Sequence, residues 1–399
     1  MKLCIAGPID LGPLQHLFDA PLPQTYSFPL IGQLAEAYLA RDIQVDIVAL
    51  ATSPDTRWHE TSRDGRVTVR IIPGGRRARL QLADLYGQER RALARAIADT
   101  KADVVHAHWT YEFAVAATAS GIPTLVTIHD SPIDSWLSYR DAVRFARLLL
   151  ARRALSRATS LTAVAPWVAR RARLLGIPFK PIAIIPNGID PAVDLILPPP
   201  GSCTDPQELT LLSVNNDFSR RKNVHALLTA FALARQDDAR LRLALVGSGF
   251  EEDGIAQRWA QQRSLHHGVE FHGRQSNSWI AGKLSETAIY VHPSRQEACS
   301  VSIIEAMRAG KAIIAGQNSG GVPWQLQGAG ILVNVTNSRA IAHAILELAS
   351  DPAQRATLGA SARTRYETTF TSEVMVDSYV EQARAIRRQL DAESSDDIT

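Results

Sequence analysis

The sequence predicts an α/β protein with two doubly wound, Rossmann-like domains. Short apolar runs alternate with stretches whose apolar residues recur every three or four positions, a pattern typical of strands joined by helices. Such units pair their strands in parallel and cover both faces of the sheet with helices. The alternation pauses after Asp190 and restarts at Leu209, and Pro198-Pro199-Pro200-Gly201-Ser202 lies in between. Stiff, helix-averse residues of this kind indicate a domain boundary.

The N-terminal domain is predicted over residues 1–190. Its predicted strands are Leu3–Ala6, Val45–Leu50, Val67–Ile72, Val104–His106, Thr124–Ile128, Leu161–Val164 and Ile182–Ile185. Its predicted helices are Leu30–Ala40, Leu85–Asp99, Phe113–Ala119 and Ala142–Leu155.

The second domain is predicted over residues 191–371, with the same architecture. Its predicted strands are Leu209–Val214, Leu241–Val246, Val269–Phe271, Ile289–Val291, Ala312–Ala315 and Ile331–Val333. Its predicted helices are Val224–Ala234, Ile255–Arg263, Val301–Ala309 and Ala340–Ala349. Two more helices follow Asp351-Pro352, the last at about Ser372–Leu390, and we expect the acidic tail Glu393–Thr399 to be disordered.

Composition predicts a soluble globular protein, because 46% of the 399 residues are apolar and 21% are charged. No stretch approaches 18 uninterrupted apolar residues, and the start MKLCIAGPID fits a buried strand better than a secretion signal. Three widely spaced cysteines without metal-ligand spacing favour a reducing, cytoplasmic setting. Residues 1–190 carry 23 Lys and Arg against 17 Asp and Glu, so an anionic partner is one interpretation and a solvated basic face the other.

The segment Pro293–Lys311, PSRQEACSVSIIEAMRAGK, carries the most specific pattern in the chain. Glu297 lies in a loop after a predicted strand, and Glu305 lies eight positions later in a predicted helix. A loop that opens a helix presents free backbone N–H groups and a positive dipole end, which bind anionic oxygens. Carboxylates in the same place are good acceptors for hydroxyls. Phosphate and hydroxyls together describe a nucleotide sugar.

This glutamate pair, with the EAM tripeptide and the following Gly-Lys, resembles the E-x7-E motif of retaining glycosyltransferases of family 4, which have the GT-B fold. The resemblance is strongest over residues 182–335 and faint over 1–100. It implies two domains that face each other across a cleft, the first binding the acceptor and the second the nucleotide-sugar donor. It also implies that the terminal helix at about 372–390 crosses back to the first domain.

The resemblance further implies a role for each candidate site residue. Glu297 would bind sugar hydroxyls and steady an oxocarbenium-like transition state, and Glu305 would accept hydrogen bonds from the ribose. Lys222 matches a diphosphate-binding lysine. The family's arginine position holds Asn215-Asn216-Asp217 instead, so either Arg220 or Arg221 would supply the second charge. We expect Lys222 and Glu297 at opposite sides of the donor.

The remaining site predictions concern backbone groups and one histidine. N–H groups at Cys299, Ser300 and Val301 would help to hold the diphosphate. Gly247 and Gly249 would form a tight turn close to the nucleotide. His129, at the end of T-I-H-D, falls where the family has a histidine beside the donor sugar and the acceptor, whereas His106 and His108 are taken as structural.

We therefore expect a retaining hexosyltransferase that moves a sugar from a UDP- or GDP-sugar to a glycan or lipid-linked acceptor, in cell-surface polysaccharide or glycolipid synthesis. The chain has no D-x-D motif, so no metal cofactor is expected, and neither is a nucleic acid partner. Two alternatives stay open, a nucleotide-sugar epimerase of the same fold and a non-catalytic nucleotide-sugar-binding homologue.

A basic amphipathic stretch between Tyr139 and Leu175 adds one more hypothesis. It holds nine arginines against the single acid Asp141, together with apolar residues such as Phe145 and Leu149. Such a surface can rest on anionic lipid headgroups at the inner membrane face. The alternative is a soluble enzyme whose arginines pair with acids elsewhere in the fold.

Overall fold

A computed structural model of the protein describes residues 1–26, 28–76, 78–190 and 208–396. The chain forms two compact units. Unit 1 consists of Met1–Pro186 and Ser372–Thr399, and unit 2 consists of Asn187–Thr371. The predicted boundary motif at residues 198–202 lies outside the described residues.

Unit 1 contains an eight-stranded sheet. Its strands are β1 (Lys2–Ala6), β2 (Gln44–Leu50), β3 (Trp58–Thr61), β4 (Val67–Ile72), β5 (Val104–His108), β6 (Thr124–Ile128), β7 (Ser160–Ala163) and β8 (Ile182–Ile184). They are arranged in the order β3-β4-β2-β1-β5-β6-β7-β8. All neighbours pair in parallel except β3, which is antiparallel to β4. The sequence did not predict β3, a short edge strand with polar residues.

Among the described residues of unit 1, seven α-helices precede the second unit in the chain. They are α1 (Pro29–Leu39), α2 (Ala78–Ala83), α3 (Gly87–Ala98), α4 (Glu112–Ala117), α5 (Pro132–Tyr139), α6 (Ala142–Arg157) and α7 (Pro166–Arg173). The sequence missed α2, α5 and α7. Both α5 and α7 begin with a proline in the first turn, where its fixed φ and its missing N–H suit a helix start.

Unit 2 contains a six-stranded, fully parallel sheet. Its strands are β9 (Leu209–Val214), β10 (Leu241–Val246), β11 (Val269–Phe271), β12 (Ile289–His292), β13 (Ala312–Gly316) and β14 (Ile331–Val333). Their order is β11-β10-β9-β12-β13-β14, which is 3-2-1-4-5-6 when counted within the unit. This is the strand order of a doubly wound dinucleotide-binding sheet.

The helices of unit 2 alternate with its strands, as in a doubly wound fold. They are α8 (Val224–Asp237), α9 (Ile255–Gln261), α10 (Asn277–Glu286), α11 (Val301–Arg308), α12 (Val322–Leu326), α13 (Ser338–Ser350) and α14 (Pro352–Thr369). Fully buried residues of α8 and α13, such as Phe231 and Ile345, share one core with the strands. The sequence missed α10 and α12.

The C-terminal helix α15 (Ser372–Asp396) belongs to unit 1. Its residues Val376, Tyr379 and Ile386 are buried in the same core as β1, β2 and α1. The expectation of disorder from Glu393 onward is wrong for residues 393–396, which continue the helix. Once packing has anchored a helix, each added residue forms one hydrogen bond and needs no new nucleation. Residues 397–399 lie outside the described part.

The strand order reverses direction at one point in each sheet. In unit 2 this point lies between the neighbouring strands β9 and β12. In unit 1, where β4-β2-β1-β5-β6-β7 repeats the same order, it lies between β1 and β5. In open α/β sheets, ligands bind outside the carboxyl ends of the strands at such switch points. The fold therefore indicates one candidate location in each unit.

Candidate functional site

The switch point of unit 2 brings together two loops that are distant in the sequence. β9 leads through Ser219–Asn223 into α8, and β12 leads through Pro293–Ser300 into α11. Because the two strands are parallel neighbours, both loops leave the sheet at the same edge. Lys222 and Glu297, 75 positions apart, meet there.

Glu297 is the centre of a hydrogen-bonded cluster. Nζ of Lys222 donates to its Oε1 at 2.6 Å, and Oγ of Ser294 donates to the same oxygen at 2.7 Å. Nε2 of His292 lies 3.5 Å from Oε1, and Nη1 of Arg221 lies 3.7 Å from Oε2. The side chains of Lys222 and Glu297 are 11% and 12% exposed, so this ion pair is largely screened from water.

The surroundings keep Glu297 ionised. Burial raises the pKa of this carboxyl, but the neighbouring imidazole and the charges of Lys222 and Arg221 outweigh it and hold the pKa well below its usual range. The expectation that Lys222 and Glu297 lie at opposite sides of a donor is wrong, since they form one ion pair. The physical reason is that a largely buried carboxylate needs a counter-charge.

The loop between β13 and α12 fixes the backbone of Glu297. The N–H of Gly321 donates to the carbonyl of Glu297 at 2.9 Å, and Gly320 pairs with Glu297 in an isolated β-bridge. Gly320 has a φ of +68°, and a Cβ at this position would lie 2.3 Å from the Glu297 carbonyl oxygen. A glycine is therefore required for the loop to clamp the carboxylate-bearing residue.

The other cations of the site differ in how closely they are held. Arg220 is exposed, whereas Arg221 donates to the carbonyl of Gln296 at 3.3 Å. Arg295, which the sequence reasoning missed, donates from Nε to Oδ1 of Asn223 at 3.0 Å. Its signal was its place at the carboxyl end of β12, in the same loop as Glu297.

Asn223 joins three loops at the edge of the sheet. It is fully buried, and its Nδ2 donates to the carbonyls of Pro293 and Val335 at 3.0 and 2.8 Å. Its φ of +59° is in the left-handed region, which asparagine tolerates better than most residues. The residue therefore positions the loops after β9, β12 and β14 relative to one another.

The start of α11 is partly occupied by internal hydrogen bonds. The N–H of Ser300 donates to Oε1 of Gln325 at 3.0 Å, and Nε2 of Gln325 donates back to the Ser300 carbonyl at 2.8 Å. The N–H of Ser300 is thus already paired, and its predicted role as a diphosphate donor would require this hydrogen bond to be exchanged for one to the ligand. Val301 opens the helix as its first residue, and Cys299 precedes Ser300, so these two keep their candidate roles.

The side chain of Cys299 is a buried thiol. Its carbonyl accepts a hydrogen bond from Nδ2 of Asn187 at 3.1 Å. Burial raises the pKa of its thiol to about 12. The thiol is therefore neutral, and the predicted ligand contact of this residue is its backbone N–H.

Glu305 lies one turn into α11, and its environment differs from that of Glu297. Burial raises the pKa of its carboxyl to about 7, while the charge of Arg308 acts in the opposite direction. A carboxyl in this state is ionised in part near neutral pH. Hydroxyl donors from a ligand would favour its charged form.

The glycine turn after β10 allows a close backbone approach within unit 2. Gly247 has a φ of +125°, and a Cβ there would lie 1.6 Å from the carbonyl oxygen of Asn215. Its N–H donates to the carbonyl of Gly273 at 2.7 Å. Gly249, with a φ of +89°, lies against Phe218. These glycines let the loops after β9 and β10 approach each other closely.

Asn215 is the first residue of the segment that replaces the arginine of the family's pattern. It is buried, its Nδ2 donates to Oγ of Ser213 at 3.0 Å, and its Oδ1 has no hydrogen-bond partner among the described residues. An amide in this place cannot neutralise a phosphate. The nearby charge comes instead from Arg221, Lys222 and Arg295.

In unit 1, His129 follows β6 and belongs to a buried cluster of rings. Its Nε2 shares a hydrogen bond of 2.9 Å with Nδ1 of His108, and its ring packs at 4.8 Å from that of Trp109. Burial lowers the pKa of His129 to about 3, so its imidazole is neutral. Its Nδ1 is buried without a hydrogen-bond partner among the described residues.

His106 and His108 extend this cluster into the core. Nδ1 of His106 shares a hydrogen bond of 2.9 Å with the hydroxyl of Tyr38, and its Nε2 shares one of 2.8 Å with Thr127. Burial lowers the pKa of both imidazoles, to about 3 for His106 and well below the usual value for His108. The cluster therefore positions His129 through neutral hydrogen bonds.

The described residues offer neither a metal cluster nor a membrane-spanning helix. In residues 1–26, 28–76, 78–190 and 208–396, no group of three His, Cys, Asp or Glu side chains could hold a metal ion. Within the same ranges, no helix has both the length and the apolar character needed to cross a bilayer.

Comparison with known proteins agrees with this fold. One family model, glycosyl transferases group 1, matches residues 204–365, and another, glycosyltransferase family 4, matches residues 30–193. The chain is similar to the O-antigen chain mannosyltransferase C of Escherichia coli, at 28% identity over 167 residues, 41% of this chain and 43% of that protein.

A second relative and one solved structure extend the comparison. A GDP-mannose-dependent monoacylated alpha-(1-6)-phosphatidylinositol monomannoside mannosyltransferase of Corynebacterium glutamicum is 29% identical over 175 residues, 41% of this chain and 44% of that protein. The matches thus extend over less than half the length of these two relatives. Sucrose-phosphate synthase from Thermosynechococcus elongatus has the same fold, with a TM-score of 0.74 and 22% identity over 98% of this chain and 99% of that one.

The two family models cover adjacent and nearly continuous parts of the chain, one in each doubly wound half. The predicted family and the predicted α/β architecture are both confirmed. The protein belongs to the group 1 glycosyltransferases of family 4 and has the GT-B fold.

Proposed function

We propose that this protein transfers a mannosyl residue from GDP-mannose to a hydroxyl of a glycan or lipid-linked acceptor, with retention of configuration. The observation that carries the proposal is the Lys222–Glu297 ion pair at the switch point of the unit 2 sheet. Both relatives are named mannosyltransferases, and the name of one specifies GDP-mannose, which supports this donor over a UDP-sugar.

Lys222 can bind a diphosphate without leaving Glu297. Its ammonium carries three hydrogen-bond donors, of which the 2.6 Å bond to Glu297 uses one. The other donors can reach phosphate oxygens. Negative charge grows on the leaving diphosphate as the bond to the anomeric carbon breaks, and Lys222 with Arg221 would stabilise that charge most strongly in the transition state.

Glu297 would act on the opposite charge of the same transition state. The sugar ring becomes positively charged as the leaving group departs, and an ionised carboxylate close to it lowers the energy of that state. The low pKa of Glu297 ensures that the carboxylate is charged and accepts hydrogen bonds only. It would therefore also accept from hydroxyls of the transferred sugar.

Glu305 and His129 would complete the two substrate sites. Glu305 would accept hydrogen bonds from the ribose hydroxyls of the nucleotide, four residues along α11 from Val301. His129 would hold an acceptor hydroxyl through its unpartnered Nδ1. Cationic side chains and a helix N-terminus supply the electrostatic stabilisation, so the proposed reaction uses no metal ion.

A peripheral position on an anionic membrane surface, at the cytoplasmic face, is part of this proposal. Phe145 and Leu149 on α6, Leu174 after α7 and Phe179 are 47%, 47%, 64% and 88% exposed. Some of the arginines are used inside unit 1, such as Arg171, whose Nη2 donates to Asp134 at 2.6 Å. Sedimentation with anionic liposomes at low salt, and release at high salt, would be expected.

The test of the proposed reaction is an assay with labelled GDP-mannose, UDP-glucose and other nucleotide sugars, with and without glycan acceptors. We expect mannosyl transfer, and slow hydrolysis when no acceptor is present. The same assay on Glu297→Gln should show strongly reduced transfer. Its control is Glu367→Gln, which removes an exposed partner of Arg363 and should leave transfer unchanged. Conversion of the donor to an epimer would indicate the isomerase alternative, and binding without turnover would indicate a non-catalytic homologue.

A further inference from the structure

A cavity of about 330 Å³ lies within unit 1, at the carboxyl edge of its sheet. Residues that follow or end four different strands line it: Pro8 after β1, Leu50 at the end of β2, Trp109 after β5 and Asp130 after β6. It therefore lies around the switch point between β1 and β5. Its volume is within the range of small-molecule sites, roughly 300–1,000 Å³.

Three charged side chains of this cavity have buried atoms without partners. Asp130 Oδ1, Glu112 Oε2 and Arg147 Nε each lack a hydrogen-bond partner among the described residues. The other carboxylate oxygen of Asp130 accepts from the hydroxyl of Tyr111 at 2.8 Å. Burial raises the pKa of both carboxyls, while the charge of Arg147 acts in the opposite direction, so the three groups partly compensate one another's charge. Their unpaired atoms still lack hydrogen bonds, each worth about 1–3 kcal/mol, which a ligand at this cavity would supply.

The combination of charges restricts the chemistry of that ligand. A phosphate would suit Arg147 but would be repelled by the carboxyls of Asp130 and Glu112. An ammonium group would suit the carboxyls but would be repelled by the guanidinium. A neutral hydroxyl both donates and accepts, so it satisfies all three groups without a charge penalty.

Aromatic side chains supply the remaining walls. Tyr26, Tyr86, Trp109, Tyr111 and Phe113 line the cavity. Flat apolar faces combined with a few polar groups fit a ring that is apolar on its faces and hydroxylated at its rim. Trp109 also packs against His129, so the cavity adjoins the residue that would hold the acceptor hydroxyl.

We propose that this cavity binds a neutral, hydroxylated sugar ring, the terminal residue of the acceptor, through Asp130, Glu112 and Arg147. The assignment to an acceptor rests on the proposed function, whereas the choice of a neutral sugar rests on the cavity itself. It excludes a phosphate-bearing terminal residue as the acceptor group in this position.

The test is a binding titration of the full chain with methyl α-mannoside, followed by saturation-transfer NMR, with GDP present to fill the nucleotide site. We expect a dissociation constant on the order of 1 mM, typical of a single weakly held ring. Asp130→Asn and Glu112→Gln should each weaken binding about tenfold, a difference of roughly 1.4 kcal/mol. Asp55→Asn, an exposed aspartate of the same unit, is the matched control and should leave binding unchanged.

Charged analogues complete the experiment. Mannose 6-phosphate and mannosamine should each bind more weakly than the neutral mannoside. Tighter binding of the phosphate ester, or mannoside binding that persists in both variants while their thermal unfolding is normal, would overturn the proposal. Because the readout is binding, a failure to transfer mannose in the donor assay would count against the proposed function without touching this result.

Discussion

The two sheets of this protein share one strand order, but the chemistry at their switch points differs. In unit 2, the loops after β9 and β12 place Lys222 and Arg221 around an ionised carboxylate, Glu297. In unit 1, the loops after β5 and β6 place neutral imidazoles, His108 and His129, beside aromatic rings. The fold thus sets the location of each site, and the few residues that follow the strands set its chemistry.

This difference fits two substrates of different charge. A nucleotide diphosphate needs cations and backbone N–H groups, which unit 2 offers. A neutral hydroxylated acceptor needs hydrogen-bonding groups and apolar faces, which the cavity of unit 1 offers. Under the proposed function, the donor would bind at the switch point of unit 2 and the acceptor at that of unit 1.

The largest expected effect comes from breaking the ion pair of unit 2. Lys222→Ala and Glu297→Gln should each reduce mannosyl transfer roughly a hundredfold or more, since each removes a transition-state contact. Lys222→Ala should also lower the free energy of unfolding by about 3–5 kcal/mol, because it leaves a largely buried carboxylate without its counter-charge. Steady-state kinetics and urea unfolding measure the two effects.

The double variant separates catalysis from stability. Combining Lys222→Ala with Glu297→Gln should recover part of the lost stability, because the uncompensated charge is removed, while activity stays low. Turnover within threefold of the wild type in both single variants would refute the donor-site assignment.

A second large effect is expected at Gly247, where the loops of unit 2 approach each other. Gly247→Ala should destabilise the protein by about 3 kcal/mol, because the new Cβ would meet the Asn215 carbonyl oxygen at 1.6 Å and φ is +125°. Gly282→Ala in α10 is the control, since its Cβ would meet nothing within 4 Å. That change should be neutral or stabilising by about 0.5–1 kcal/mol. Equal unfolding midpoints for the two variants would contradict the close approach.

A smaller effect sharpens the contrast in ionisation. Glu305 has a pKa of about 7, raised by burial, and a nucleotide that donates hydroxyls to it favours the ionised form. Binding then releases a proton below this pKa. As the pH is raised toward about 7, the dissociation constant of GDP-mannose should therefore fall about tenfold per pH unit. Above roughly pH 7 it should level off. Calorimetry from acidic to neutral pH measures this slope.

Glu305→Gln provides the control for this slope, because it keeps a hydrogen-bond acceptor and removes the titration. Its affinity should be nearly independent of pH in the same range. His129 adds no slope there, since its pKa is about 3. A slope retained in Glu305→Gln would assign the titration to another group.

Most strands could be predicted from the sequence, because buried parallel strands are continuous apolar runs. The roles of the candidate site residues stay predictions. Leu209–Val214 and Thr124–Ile128 have the predicted bounds. The edge strand Trp58–Thr61 could not be predicted in this way, since its sequence is mainly polar and only alternate residues turn inward. Helices as short as Val322–Leu326 carry too few turns to show a period.

The arrangement of the site was harder to predict than its members. Lys222 and Glu297 were both predicted, but not their direct pairing, which depends on the adjacency of β9 and β12 in the sheet. Gln325 pairs with Ser300 from a different loop, a contact that no local pattern indicates. The three charged side chains of the unit 1 cavity were missed for the same reason. Glu112, Asp130 and Arg147 come together only in the folded chain.

The division of substrates between the two switch points is tested most directly by titrating GDP-mannose into the wild type, Lys222→Ala and Asp130→Asn by calorimetry. We expect Lys222→Ala to weaken binding at least about tenfold, since it removes a charge-assisted contact to the diphosphate. Asp130→Asn should bind the donor as the wild type does. Unchanged affinity in Lys222→Ala, or an equal loss in Asp130→Asn, would contradict the assignment of the donor to unit 2.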